Sequence, residues 1–189
     1  PPATAPATPA LAGVRTLRDT FSNPDQGLLP RESDDPARYR RGYERGEYVL
    51  ASLGPGELRA PLLAPVPGTY GDLAISVDAR LVGDTAGRTL MVVCHDQGAM
   101  GGAGYGLLVS PGRGQFAVAR WDGGRETRLV DWQTARAMRQ GNQTNRLELH
   151  CRDGGVQVRI NSIQVAQLQD ATYRAGTLWL GVTADGDRA

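Results

Sequence analysis

The chain is predicted to fold as an all-β, antiparallel sandwich or barrel, and three observations carry that expectation. Apolar residues alternate with polar ones over short runs, glycine and proline clusters punctuate the runs, and no segment could supply the helical crossovers that parallel strands need. Twenty-five glycines and twelve prolines in 189 residues fit many turns and few helices. The stretch 145–181 is the clearest instance. Leu147, Leu149 and Cys151 alternate with charged or polar neighbours, and Val156, Val158 and Ile160 do so after Asp153-Gly154-Gly155, so the stretch reads as three consecutive strands.

The other elements follow in order. VRTLRDTF, residues 14–21, predicts a first edge strand, followed by the turn-rich SNPDQG and a polar loop through Arg40. GEYVLAS, residues 46–52, predicts a second strand. A region rich in proline follows: Pro55, Pro61, Pro65 and Pro67 within 54–71 forbid a regular helix and limit strands to short edge pieces. In DLAISVDARLV, Leu73, Ile75, Val77, Ala79 and Leu81 alternate and define one core face. TLMVVCH, residues 89–95, is apolar on both faces and predicts a central strand. QGAMGGAGYG fits no phosphate-binding register and predicts a hairpin loop. YGLLVS, QFAVARW and RETRLVDW form a meander with PGRG and DGG as turns. TARAMRQG, residues 134–141, has room for one helical turn. The total is about ten to twelve strands at the close spacing of a sandwich or barrel.

Composition excludes some classes of function. Twenty-one basic against twenty acidic residues leave a net charge of +1, so no global field recruits nucleic acid or an anionic membrane. Every basic residue is arginine, a feature of GC-rich coding rather than of phosphate clamps. No apolar run approaches the roughly 18 residues that cross a bilayer, so this fragment has no expected membrane insertion. PPATAPATPA at the start cannot bury a core and is expected to be extended. Residues 1–13 are therefore expected to be a disordered linker and residues 14–189 a single domain. Such a tract suits either the tether of an exported domain or an interdomain linker.

The two cysteines, Cys94 and Cys151, each fall in an expected strand. An even count together with an export-like tether favours one disulfide, worth roughly 4 kcal/mol in the chain-entropy model. Two buried free thiols are the alternative. Structural zinc would need four ligands, and neither His95 nor His150 sits at finger spacing.

At this point the residues resemble a family. Asn145-Arg146-Leu147, Cys151, Gly154 and Asn161, then Asp170, Tyr173, Gly176 and Gly181, resemble the C-terminal strands of concanavalin A-like jelly rolls, the laminin-G-like and glucanase-like sandwiches. The likeness is greatest to extracytoplasmic jelly-roll domains of bacterial multidomain proteins, including those tethered outside membrane-anchored serine/threonine kinases. Asp19-Thr20-Phe21 with Pro24, then Tyr43, Gly46, Glu47 and Tyr48, are similar to that family's opening strands, so the resemblance spans Leu17 to Gly181. It implies an antiparallel, concanavalin A-like jelly roll. Two positions depart from the pattern. Asn161-Ser162 replaces the usual Asn-Gly, so the hairpin there is expected to be longer or strained. The strand that usually follows the glycine matching Gly181 is either truncated or absent.

The glucanase branch of that superfamily hydrolyses sugars with closely spaced carboxylates on one strand face. No such triplet occurs here: Glu47, Glu57, Glu126, Glu148 and Asp78 read as isolated, solvated charges. No nucleophile elbow occurs, and His95 beside Asp96 lacks a positioned serine. Jelly-roll lectins hold calcium with loop carboxylates, but Asp185-Gly186-Asp187 is short of a calcium-loop spacing, so no cofactor or metal is expected. Asn142-Gln143-Thr144 matches a glycosylation sequon to which no role is assigned. What remains is a set of aromatics. Trp121 and Trp132 end adjacent meander strands and Tyr105 opens the strand after the glycine-rich loop, so all three are expected near one rim, where sugar faces stack on rings. Arg120 and Asp131 are the candidate polar partners. The alternative is that these rings cover core or strand ends, as Trp179 is expected to do. The leading expectation is a non-catalytic extracytoplasmic domain that binds carbohydrate or another extracellular ligand, or acts as a sensor, within an exported or membrane-anchored protein. A glycoside hydrolase of the same fold and a structural or adhesion spacer are the alternatives.

Overall fold

The computed structural model describes residues 16–33, 35–53, 61–83, 85–98 and 102–184. Twelve strands are present among them: β1 (Tyr39–Glu44), β2 (Glu47–Ser52), β3 (Leu62–Tyr70), β4 (Leu73–Ala79), β5 (Arg88–Asp96), β6 (Ala103–Ser110), β7 (Gln115–Asp122), β8 (Arg125–Thr134), β9 (Asn145–Arg152), β10 (Gly155–Ile160), β11 (Ile163–Gln169) and β12 (Gly176–Ala184). Every pairing is antiparallel. The large sheet has the order β3-β12-β5-β6-β7-β8, the small sheet β11-β10-β9-β4, and β1 and β2 form a separate hairpin.

Alternation explains how the two sheets close on each other. Leu147, Leu149 and Cys151 of β9 and Val156, Val158 and Ile160 of β10 turn one way, and meet Leu90, Val92, Leu107, Val109, Phe116 and Val118 of the large sheet in one core. Cys94 on β5 and Cys151 on β9 are joined by a disulfide, so the staple crosses from sheet to sheet and closes 57 residues. The hairpin β1–β2 completes the cover at the β3 edge, where Tyr43 and Tyr48 pack with Phe21 beside Leu29, Ala64 and Val66.

Several elements differ from the expectations. No strand forms over 16–21, and residues 14–15 lie outside the described residues. Instead the Asp19 carboxylate gathers the segment, accepting from the Phe21 and Leu28 N–H groups and the Tyr43 hydroxyl. Burial opposes its charge, but these three hydrogen bonds outweigh that and hold its pKa below the usual carboxylate value. The supposed polar loop through Arg40 already contains the start of β1. Pro65 and Pro67 sit within a nine-residue β3 rather than short pieces, tolerated because β3 is an edge strand. Residues 135–141 form turns, closed by Met138 N–H to Ala135 C=O, and no helix.

The stretch 145–181 holds parts of four strands rather than three, because β12 leaves the small sheet and inserts between β3 and β5. The Asn161-Ser162 hairpin stays tight, with Ile160 paired directly to Ile163. Both turn residues take positive φ, at 49° and 69°, so the strain falls on Ser162. The acids read as solvated are paired: Glu47 with Arg80, Glu126 with Arg128, Asp78 with Arg146, and Glu148 with Arg146 and Arg159. Glu57 lies outside the described residues.

Candidate functional site

The outer face of the large sheet, turned away from the small sheet, is apolar where a solvent-facing sheet surface is normally polar. Leu63, Met91, Val93, Leu108, Ala117 and Ala119 form a second buried cluster there, with Trp121, Trp132 and Trp179 packed on it. Two cross-strand rows build the floor. One runs Trp179, Val93, Gly106, Ala119, Arg128 from β12 to β8, and the next runs Leu63, Gly181, Met91, Leu108, Ala117. At ~4.8 Å per strand each row spans roughly 19 Å.

Glycines within strands set the depth of this groove. A Cβ on Gly106 would lie 2.5 Å from the Trp121 ring, and one on Gly181 would lie 2.4 Å from Leu63. Both glycines let a bulky neighbour settle onto bare backbone. The result is a cavity of about 180 Å³ lined by the three tryptophans, Glu126 and Arg128 with aliphatic floor residues.

Strand β8 supplies the polar side through two bulges. Its register against β7 shifts on either side of Val118, which turns Val130 into the core while Arg128 and Trp132 stay outside. The Arg128 guanidinium lies 5.1 Å from the centre of the Trp132 ring and is paired through Nε to Glu126. Arg128 Nη1 and Trp132 Nε1 are buried donors with no hydrogen-bond partner among the described residues. Trp179 differs, because its Nε1 donates to Asp96 Oδ2 and Thr177 Oγ1, both at 2.9 Å.

Of the residues singled out from sequence, Trp121 and Trp132 come together in this groove. Tyr105 does not join them. It pairs with Arg120 across β6 and β7, and Trp121, one position on, necessarily points to the opposite face. Tyr105 is buried inside the sandwich, where its hydroxyl donates to Asp170 and accepts from the Tyr173 N–H. Burial, then the bond to Asp170, pushes its pKa up to about 12, partly offset by the Tyr173 N–H. Arg120 is likewise turned to the sandwich end. It bonds Asp170 at 2.6 Å and Asp122 at 3.0 Å, and Tyr173 closes the ring of contacts through Asp122. Asp131 is exposed at the bulge and does not line the groove. Trp179, expected to cover core or a strand end, packs on the second buried cluster at the outer face.

Asp170 is the hub of the inner network. Burial works against its charge, but Thr172, Tyr105 and Arg120 together hold its pKa at about 2. Sequence reasoning missed Trp179, Arg128 and Asp170. The available signal was Gly106 and Gly181 within apolar strands, which mark a close approach. No group of three or more His, Cys, Asp or Glu among the described residues could hold a metal ion. Asp185 and Asp187 lie outside the described residues.

No family model and no curated protein sequence matches the chain. Solved structures do match in shape. A family 16 glycoside hydrolase endo-glucanase from Bacteroides ovatus superposes with a TM-score of 0.60 at 12% identity, covering 89% of this chain and 86% of its own. The carbohydrate-binding module CBM66 from Bacillus subtilis gives 0.56 at 13%, covering 67% and 75%. A Bacillus subtilis protein of unknown function with a galectin-like fold gives 0.56 at 13%, covering 78% and 81%. All three are concanavalin A-like jelly-roll sandwiches, and at these identities the likeness concerns the fold.

Proposed function

We propose that this concanavalin A-like jelly roll binds carbohydrate on the outer face of its large sheet and does not hydrolyse it, serving as an extracytoplasmic ligand-binding or sensor domain of a larger exported or membrane-anchored protein. The observation that carries the reading is the groove: three tryptophans around a glycine-relieved floor, with Arg128 Nη1 and Trp132 Nε1 lacking acceptors among the described residues. Sugar rings offer an apolar face for stacking and hydroxyl oxygens for such donors. The disulfide suits an oxidising compartment. The fold is shared by solved proteins named for carbohydrate binding and for glucan hydrolysis.

Two features favour binding over hydrolysis. Retaining hydrolysis needs a second carboxylate ~5 Å from the first, and inverting hydrolysis one within roughly 10 Å. Glu126 is the one carboxylate among the described lining residues of the groove, and Arg128 holds it as an ion pair. A glycan array with the oxidised protein tests the reading. Retention of neutral glucans or related saccharides, abolished in Trp121→Ala and Trp132→Ala proteins of unchanged circular dichroism, is the expected result. Release of reducing sugar that disappears in Glu126→Gln would establish the hydrolytic alternative instead.

A further inference from the structure

A second cavity, of about 120 Å³, opens at the end of the sandwich, where the β3–β4, β9–β10 and β11–β12 turns meet. Arg152, the last residue of β9, and Arg174, in the β11–β12 turn, both line it. Two carboxylates share that wall, yet they are engaged elsewhere. Asp170 is saturated by Tyr105, Thr172 and Arg120. Asp72 Oδ1 accepts from the Asp153 N–H. Neither Arg152 nor Arg174 has a hydrogen bond or ion pair among the described residues, whereas Arg31, Arg80, Arg120 and Arg146 all do.

The cavity is held in shape before any ligand arrives. The disulfide partners Cys94 and Cys151 immediately precede His95 and Arg152, so the sheet-to-sheet staple ties together the strands that carry two of the lining residues. His95 is buried and its two ring nitrogens face the Gly71 carbonyl oxygen at 2.8 Å and that of Tyr173 at 3.2 Å. That ring therefore ties together the turns that carry Asp72 and Arg174. Gly154 keeps the floor low: its φ is +68°, and a Cβ there would stand 3.1 Å from Ala171 and 3.9 Å from Arg174 Nη2.

We propose that this cavity is a binding site for a single carboxylate group. Guanidinium forks match the two oxygens of a planar carboxylate, and a fixed cavity avoids the ordering cost of binding. Arg120 is shared between Asp170 and Asp122, so Arg152 and Arg174 offer a carboxylate donors unpartnered among the described residues rather than an excess of charge. The volume, room for several waters at ~30 Å³ each, admits the carboxylate together with part of the group that carries it. The carboxylate belongs either to a uronic acid residue of an acidic saccharide or to a free small carboxylate. The site shares no lining residue with the tryptophan groove, so it stands whether or not the groove binds sugar.

Titration of the oxidised protein with glucuronate, glucose and acetate, followed by amide chemical shifts, tests the site. Glucuronate is expected to move the resonances of Gly154, Gly155 and Arg174 while glucose leaves them in place. Affinity is expected to fall about tenfold in Arg152→Gln or Arg174→Gln and further in the double variant. Acetate matching glucuronate would assign the site to a bare carboxylate, and acetate binding weaker would assign it to the acidic sugar. A glucuronate response equal to that of glucose, one that survives in the double variant, or no response at all would overturn the proposal.

Discussion

Gly106 lies directly beneath the Trp121 indole, close enough that a Cβ on the glycine would meet two ring atoms at 2.5 and 2.7 Å. The absence of a side chain on β6 thus sets the height of an aromatic wall on β7. Gly106→Ala is expected to lift the ring, shallow the groove and cost about 1–3 kcal/mol as overpacking. Trp121 fluorescence should shift to the red, and saccharide affinity should fall although no candidate contact residue has changed. Wild-type affinity in a folded Gly106→Ala protein would show that ring height does not matter.

Much of this architecture was legible because period-two patterning is strong where one face is core and the other solvent. Strands β4, β9 and β10 announce themselves in this way. The pattern fails where both faces are covered, as in β5 and β12, so the face that Trp179 takes was not legible. It fails again in β8, where two bulges reverse the parity that would have placed Val130 beside Arg128 and Trp132. Tyr105 was assigned to the wrong face for a related reason. Composition locates strand ends but not cross-strand register, and a slip of one residue inverts a side chain. Arg152 and Arg174 could not be paired from sequence, since one ends β9 and the other lies in the β11–β12 turn, where both line the second cavity.

The disulfide between Cys94 and Cys151 constrains the unfolded chain over 57 residues, which the chain-entropy model puts at about 4 kcal/mol. The Cys94→Ala/Cys151→Ala protein should unfold at a markedly lower urea concentration, with little change in the spectrum of the folded state. Because the bond ties together the strands that carry two lining residues of the second cavity, the same variant should also bind glucuronate more weakly. Free thiols detected in the native protein without reductant would contradict the premise.

Asp170 makes stability depend on acidity in a definite direction. Its pKa is about 2 in the folded protein against an ordinary 3.8, and its side chain is 11% exposed. A carboxyl lowered by folding contributes its full stabilisation above the unfolded value and loses it as pH falls through the folded one. The contribution, about 2 kcal/mol, is therefore present above ~pH 5 and disappears between ~pH 4 and ~pH 2. Asp19 shifts in the same direction and adds to the slope. Urea midpoints from neutral pH downward should fall most steeply in that window. The Asp170→Asn protein should start lower and show a flatter decline, and two parallel curves would remove Asp170 from the account.

The turn between β10 and β11 offers a test in the stabilising direction. Asn161 and Ser162 hold φ of 49° and 69°, a geometry that asparagine accepts and serine resists. Asn161 is further tied in, since its amide nitrogen donates to the Ala137 carbonyl and to Asn145 Oδ1 while its oxygen accepts from the Arg146 N–H. Among the described residues Ser162 forms no such side-chain bonds, although its carbonyl accepts from Arg159. Ser162→Gly should therefore relieve roughly 1 kcal/mol of backbone strain, offset in part by greater freedom of the unfolded chain. Asn161→Ala should cost more than that gain, because it leaves the buried Asn145 and the Arg146 N–H short of partners. Thermal unfolding of the two variants should move the midpoint in opposite directions. A lower midpoint for Ser162→Gly would mean that the turn is not strained at that residue.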